Sequence, residues 1–223
     1  NNEWYPDRAV GMKTQERPHM RIMPAWKAIK DIPGVLPHEN MKAIIEDAEK
    51  VSIVSCSCRV RKEAVGEPEC TYSHDMNCLQ FGRSAEYSAG RGHGRTLTTE
   101  EALAILEETE DDGLVHEWPN MDTVRTNTMC SCCDDCCMNM VPIKEHEVPW
   151  TNYYAKSRFE AKNDVEPCDG CQDCIDRCQF DAINMEKVEG YKKLKAVVDP
   201  EACMGCGVCV LACEPTSLVM QIV

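Results

Sequence analysis

Several things are missing from this chain. No apolar run approaches the roughly 18 to 20 residues of a membrane-spanning helix. No dinucleotide-binding glycine fingerprint, P-loop lysine pattern or haem-attachment motif occurs, so a flavin or nicotinamide site is expected on another protein. A basic excess is missing too. Lysine and arginine number 24 against 38 aspartates and glutamates, for a net charge of −14. Acidic runs such as residues 107–112 repel phosphates, which excludes nucleic acid as a partner and leaves a solvated surface or a basic protein partner.

Cysteine, in contrast, is abundant. Seventeen occur in 223 residues, an odd number, with many of them two or three positions apart. A secreted disulfide scaffold is one cause of such density. No secretory segment precedes these cysteines, and the doublets Cys132-Cys133 and Cys136-Cys137 are awkward for disulfides and natural for metal. The reading is thiolates on metal in a reducing, cytoplasmic compartment.

Composition divides the chain into four parts. Residues 1–37, rich in Pro, Met and Trp, read as an extended arm that wraps the protein or a partner. Residues 38–141 form a cysteine-rich metal-binding domain that is expected to be mainly helical. Within it, residues 38–51 place Met41, Ile44, Ile45 and Ala48 on one helical face, and Val51 to Ser55 read as a strand leading into Cys56. A second helix spans about 99–112, with Thr98 and Glu101 as a capping box and Gly113 as the glycine that ends it. Residues 142–166, with Pro142 and Pro149, read as a linker, and residues 167–223 form the last domain.

That last domain holds an internal repeat. Cys168, Cys171, Cys174 and Cys178 recur as Cys203, Cys206, Cys209 and Cys213, offset by 35 residues, and Gly170 recurs as Gly205. Two intervening residues let a tight loop set successive sulfurs on different irons, and glycine lets the backbone approach a cluster closely. Three intervening residues carry the chain into a helical turn and move the fourth sulfur away. Zinc ribbons use two separated Cys-x2-Cys pairs and match this pattern poorly.

On these motifs residues 165–220 resemble bacterial-type two-cluster ferredoxins. The resemblance implies two [4Fe–4S] clusters, one on Cys168, Cys171, Cys174 and Cys213, the other on Cys203, Cys206, Cys209 and Cys178. It also implies a pseudo-twofold α+β domain with strands near 182–185 and 195–199. Gln179 and Glu214 stand where the family carries proline after the fourth cysteine, and an ionised Glu214 lowers the potential of its cluster.

Nine cysteines lie upstream: Cys56, Cys58, Cys70, Cys78, Cys130, Cys132, Cys133, Cys136 and Cys137. Cys56-Ser57-Cys58-Arg59, Cys78 to Gly82, Gly113 to His116 and the final cysteine block resemble the upstream part of uncharacterised ferredoxin-like proteins of anaerobes, a resemblance that implies no activity. Additional iron–sulfur is the leading reading, zinc the alternative, and free or redox-active thiols the third. Adjacent cysteines are expected to hold their sulfurs on one side of a metal core.

Weaker signals remain. Arg59, Arg61 and Lys62 either offset cluster charge, hold an anionic substrate or are plain surface charge. Arg91 to Arg95 reads as a turn rather than a phosphate cradle, and His116 as packed or solvated rather than catalytic. The function expected is single-electron transfer through two [4Fe–4S] clusters, with more in the N-terminal half, to a flavin- or metal-containing oxidoreductase subunit. The alternative is a reductase whose upstream cysteine site binds substrate.

Overall fold

The computed structural model describes residues 4–67, 70–73, 78–120 and 128–223. Its centre is a seven-stranded sheet built from short strands: β1 (Met20–Met23), β2 (Val51–Val54), β3 (Cys78–Phe81), β4 (Gly94–Leu97), β5 (Val115–Pro119), β6 (Thr128–Cys132) and β7 (Tyr154–Ala155). Their order across the sheet is β4-β2-β3-β6-β5-β1-β7, antiparallel throughout except for the β1–β7 pair. Helices α3 (Met41–Asp47), α5 (Arg83–Gly90) and α6 (Thr99–Asp111) pack beside β2. There Met41, Ile45, Leu79, Leu106 and Met129, all fully buried, form one apolar core.

The α6 boundaries follow from the sequence. Thr98 accepts from the Glu101 amide at 3.2 Å, and the Glu101 carboxylate accepts from the Thr98 amide at 2.8 Å. Gly113 takes φ +77°, and its amide and that of Leu114 close the last turn on Glu110 and Thr109. A side chain on Gly113 would collide with the Arg177 guanidinium, so this glycine also lets α6 meet the C-terminal domain.

The N-terminal segment is not an extended arm. Residues Trp4–Lys13 form α1, β1 lies inside the sheet, and Trp26–Ile29 form α2, whose flank seals the C-terminal domain: the Ala25 amide donates to the Cys206 carbonyl at 2.8 Å. Nor is the cysteine-rich region mainly helical. Its strands have four or five residues, and on β3 and β6 Cys78 and Cys130 lie on the face opposite the buried Leu79, Phe81 and Met129. The segment 142–166 is likewise more than a linker. It contributes to α7 (Met140–Glu145) and contains α8 (Trp150–Tyr153), β7 and β8 (Phe159–Asn163). The protein is α+β, as expected. Among the described residues no helix is long and apolar enough to cross a membrane.

The C-terminal domain pairs β9 (Ile183–Glu186) with β10 (Lys195–Val198), and β11 (Leu218–Ile222) with β8. Short helices α9 (Asp173–Arg177) and α10 (Val208–Leu211) follow the cysteine loops. The repeat is written into the backbone. Positive φ occurs at Gly170 and Gly205, at Gln172 and Gly207, and at Asp181 and Thr216, each pair separated by the same 35 residues. Three of those six positions hold non-glycine residues in a costly conformation, which the surrounding loops must enforce.

Candidate metal centres

The eight repeat cysteines surround two voids. One is lined by Cys168, Cys171, Cys174 and Cys213. The other is lined by Cys178, Cys203, Cys206 and Cys209. Each set therefore takes three cysteines from one half and the fourth from the other. Glycine brings backbone to both loops. A Cβ on Gly205 would sit 2.1 Å from the Phe159 carbonyl oxygen, and one on Gly170 would sit 2.8 Å from that of Leu194.

Amides point at the sulfurs. Ala182 N donates to Cys178 Sγ and Leu218 N to Cys213 Sγ, each at 3.4 Å. Burial pushes the Cys174 thiol up to about 11, helped by the charge of Cys213, and raises Cys206 to about 12. Such thiols are poor anions without a metal. Cys168 is different. Burial raises it, but amide donation from Ala196 and Gly170 and the charge of Lys195 outweigh that, and its thiol lies below the usual range. Lys195 is buried and its ammonium donates to the Cys168 carbonyl. Sequence reasoning passed over Lys195, although a lysine opening a strand as apolar as Ala196-Val197-Val198 was a signal.

The upstream cysteines are arranged otherwise. Six of them stand side by side in a closed ring: Cys56 by Cys58, Cys58 by Cys137, Cys137 by Cys132, Cys132 by Cys130, Cys130 by Cys78, and Cys78 by Cys56. Strand pairing explains half of it. Cys78 on β3 faces Cys130 on β6 in register, and Cys130 and Cys132 share one side of β6 by the two-residue period. Cys56 and Cys58 enter from the start of α4 (Ser57–Ala64), with Cys56 at its N-cap. The close neighbouring sulfurs hold Cys56, Cys130 and Cys137 below the usual thiol range and push Cys58, Cys78 and Cys132 above it. The ring is a ready set of soft ligands.

Glu117 adjoins the ring and was missed. Its carboxylate lies with the Cys132 and Cys137 sulfurs inside 4.8 Å, and it is fully buried. Burial, then the charges of Cys137 and Cys130, raise it far above the carboxylate range. Tyr154 donates to Oε1 at 2.8 Å, and Oε2 has no protein partner. A glutamate beside His116 in the short strand from Val115 to Pro119 was the available signal. Of the packed and solvated readings of His116, the structure shows the packed one. Its Nδ1 lies 3.1 Å from Ser131 Oγ and its Nε2 3.6 Å from Glu110, a carboxylate that caps the first amides of α2.

The remaining three, Cys70, Cys133 and Cys136, gather separately with Asp135. Each cysteine doublet is therefore divided. Cys132 and Cys137 face the ring, and Cys133 and Cys136 face the other group, so adjacent cysteines do not share one metal core. Arg59 and Lys62 are committed to that second group, and Arg61 to Tyr5 and Glu67. Arg91 to His93 form the turn between α5 and β4, and Arg95, on β4, pairs with Glu101 at 2.6 Å.

The ring and the C-terminal voids share packing. Cys130, Cys132 and Cys137 belong to the same apolar core as Cys178 and Cys206, together with Tyr154, Phe180 and Met204. Cys178 also packs on the next core, with Cys168, Cys174 and Cys209. Cys171 is the exposed cysteine at the far side.

Comparison with curated proteins gives no significant match to the chain. Residues 167–216 match the family model described as a 4Fe-4S dicluster domain. With its duplicated backbone, exchanged fourth cysteines and two voids, this segment is a 4Fe–4S dicluster module of ferredoxin type, joined to an upstream cysteine-rich domain.

Proposed function

We propose that the protein is a single-electron carrier with three iron–sulfur sites arranged in series. Cys168, Cys171, Cys174 and Cys213 would hold one [4Fe–4S] cluster, Cys178, Cys203, Cys206 and Cys209 the second, and the six-thiol ring a further polynuclear cluster. When bound, each supplies a one-electron couple whose potential the protein tunes by amide donation, charge and burial. The chain's own part is to keep all three dry and contiguous. The continuity of the apolar cores from Cys130 through Cys178 to Cys168 carries this reading.

The exposed Cys171 end is the natural entry for a redox partner. Asp169, Asp173 and Asp176 lie on its loop and on α9, and a basic docking face suits them. The oxidoreductase expected to receive the electrons would meet the other end. A reductase with substrate at the ring is disfavoured by burial: Cys56, Cys132 and Cys137 are each at most 7 % exposed.

The test is Cys137→Ser in anaerobically prepared full-length protein. Iron and acid-labile sulfide should fall together, while the reduced dicluster EPR signals persist. Unchanged iron and sulfide in that variant would remove the ring site from the account.

A further inference from the structure

Three upstream thiols stand outside the ring, and their spacing is of another kind. The sulfurs of Cys70, Cys133 and Cys136 and one oxygen of Asp135 all lie within 4.8 Å of one another. Cys70 and Cys133 are 3.5 Å apart, Cys133 and Cys136 are 3.0 Å apart, and Asp135 Oδ1 is 3.8 Å from Cys70. A tetrahedral ion with thiolates at about 2.3 Å sets its donor atoms about 3.8 Å from each other. A cubane instead spreads its cysteine sulfurs across a four-iron core. The group is the size of one ion.

Charge supports occupancy independently. Arg59 and Lys62 are 3 % and 8 % exposed, and both face this group. Arg59 Nη2 donates to Cys133 Sγ at 3.5 Å, and its guanidinium stacks on Tyr72. Lys62 donates to the Asp135 carbonyl at 2.9 Å and pairs with Oδ2 at 3.3 Å, which leaves Oδ1 turned to the thiols. Buried cations require anions. A divalent ion on three thiolates and one carboxylate carries two net negative charges, and Arg59 and Lys62 match them.

We propose that Cys70, Cys133, Cys136 and Asp135 bind one tetrahedral divalent ion, zinc or ferrous iron, as a mononuclear site distinct from any iron–sulfur cluster. The proposal deepens the reading of the upstream cysteines as metal-bound, yet it can fail alone. Its role is positional. Because each doublet divides, fixing Cys133 and Cys136 also fixes the Cys132 and Cys137 backbone that faces the ring. A carboxylate as fourth donor makes the ion more exchangeable than a four-thiolate site would.

The experiment uses the anaerobically purified full chain. Elemental analysis should find one zinc, or one iron in excess of sulfide-matched iron, per chain. Exchange with Co²⁺ should give thiolate-to-cobalt charge transfer and intense tetrahedral ligand-field bands. Cys136→Ser should abolish those bands and lose the one ion, with acid-labile sulfide unchanged. Should that variant not fold, Asp135→Ala, at an exposed residue, should weaken Co²⁺ binding at least tenfold without loss of sulfide. Loss of sulfide in either variant, or wild-type protein that gives no cobalt–thiolate band, would overturn the proposal. If iron proves confined to the dicluster module while the cobalt bands remain, this ion stands and the ring cluster falls.

Discussion

The two cysteine regions solve different problems with one residue type. In the C-terminal module eight thiols stand around two voids and are addressed by backbone amides. Upstream, six thiols stand side by side in a ring and three more crowd a carboxylate. The first arrangement is set by local loops repeated along the chain. The second is assembled by strand register, so its members come from positions as distant as Cys56 and Cys137. Regular spacing thus marks cluster sites made by local turns, and irregular spacing marks sites made by tertiary pairing.

The sharpest way to break this comparison is to remove one ring member. Cys132→Ser leaves a buried hydroxyl among sulfurs and should eliminate all ring iron and sulfide while sparing both C-terminal clusters, as read by metal and sulfide counts with EPR. The converse change is Gly205→Ala. Its methyl group would meet the Phe159 carbonyl at 2.1 Å in a residue at φ +73°, at a cost of roughly 3 kcal/mol or more. It should depress iron in the C-terminal module and leave the ring filled.

A smaller effect is expected where the two regions are clasped. Glu39 accepts from Arg158 Nε and Nη2, both at 2.8 Å, and from the Leu36 amide at 2.9 Å. The Arg158 hydrogen bonds hold the Glu39 carboxyl below its usual range, against the opposing effect of burial. Its stabilisation is therefore present above the unfolded carboxylate value of about 4.3 and is lost as pH falls through the lower folded value. Glu39→Gln should cost about 1 kcal/mol at neutral pH, since Arg158 is partly solvated, and should flatten the acid limb of a denaturation profile below about pH 4.5.

Subtler still is the tuning of one cluster against its twin. Lys195→Met removes a buried positive charge beside Cys168 and should lower the potential of the cluster on that side by tens of millivolts, on the order expected for a nearby charge. Glu214→Gln should raise it slightly, because the exposed carboxylate is screened. Square-wave voltammetry of the two variants separates these shifts in sign.

Much of the C-terminal module was legible in the sequence, because its repeat is local. The cysteine spacing and Gly170 and Gly205 follow from contiguous residues, and the strands that the ferredoxin resemblance implied near 182–185 and 195–199 lie at 183–186 and 195–198. Helix α6 was legible for the same reason, through Thr98, Glu101 and Gly113. The seven-stranded sheet was not. β1 has only Met20 to Met23, and its meaning lies in partners at Glu117 and Ala155, far along the chain. The division of the doublets was hidden too. It depends on where β6 ends: Cys132 is the last strand residue and Cys133 turns away. Lys195 is visible only as a polar residue opening an apolar strand, and Glu117 only as the neighbour of His116 in a short one, signals that gain chemical sense once their neighbours are known.

The central claim is best tested by a reductive EPR titration of anaerobically purified wild-type protein, with iron and sulfide counted on the same sample. The account predicts clearly more than about eight irons per chain, sulfide to match, and a paramagnetic species beyond the interacting pair of the dicluster module. About eight irons and only the dicluster signals would contradict it.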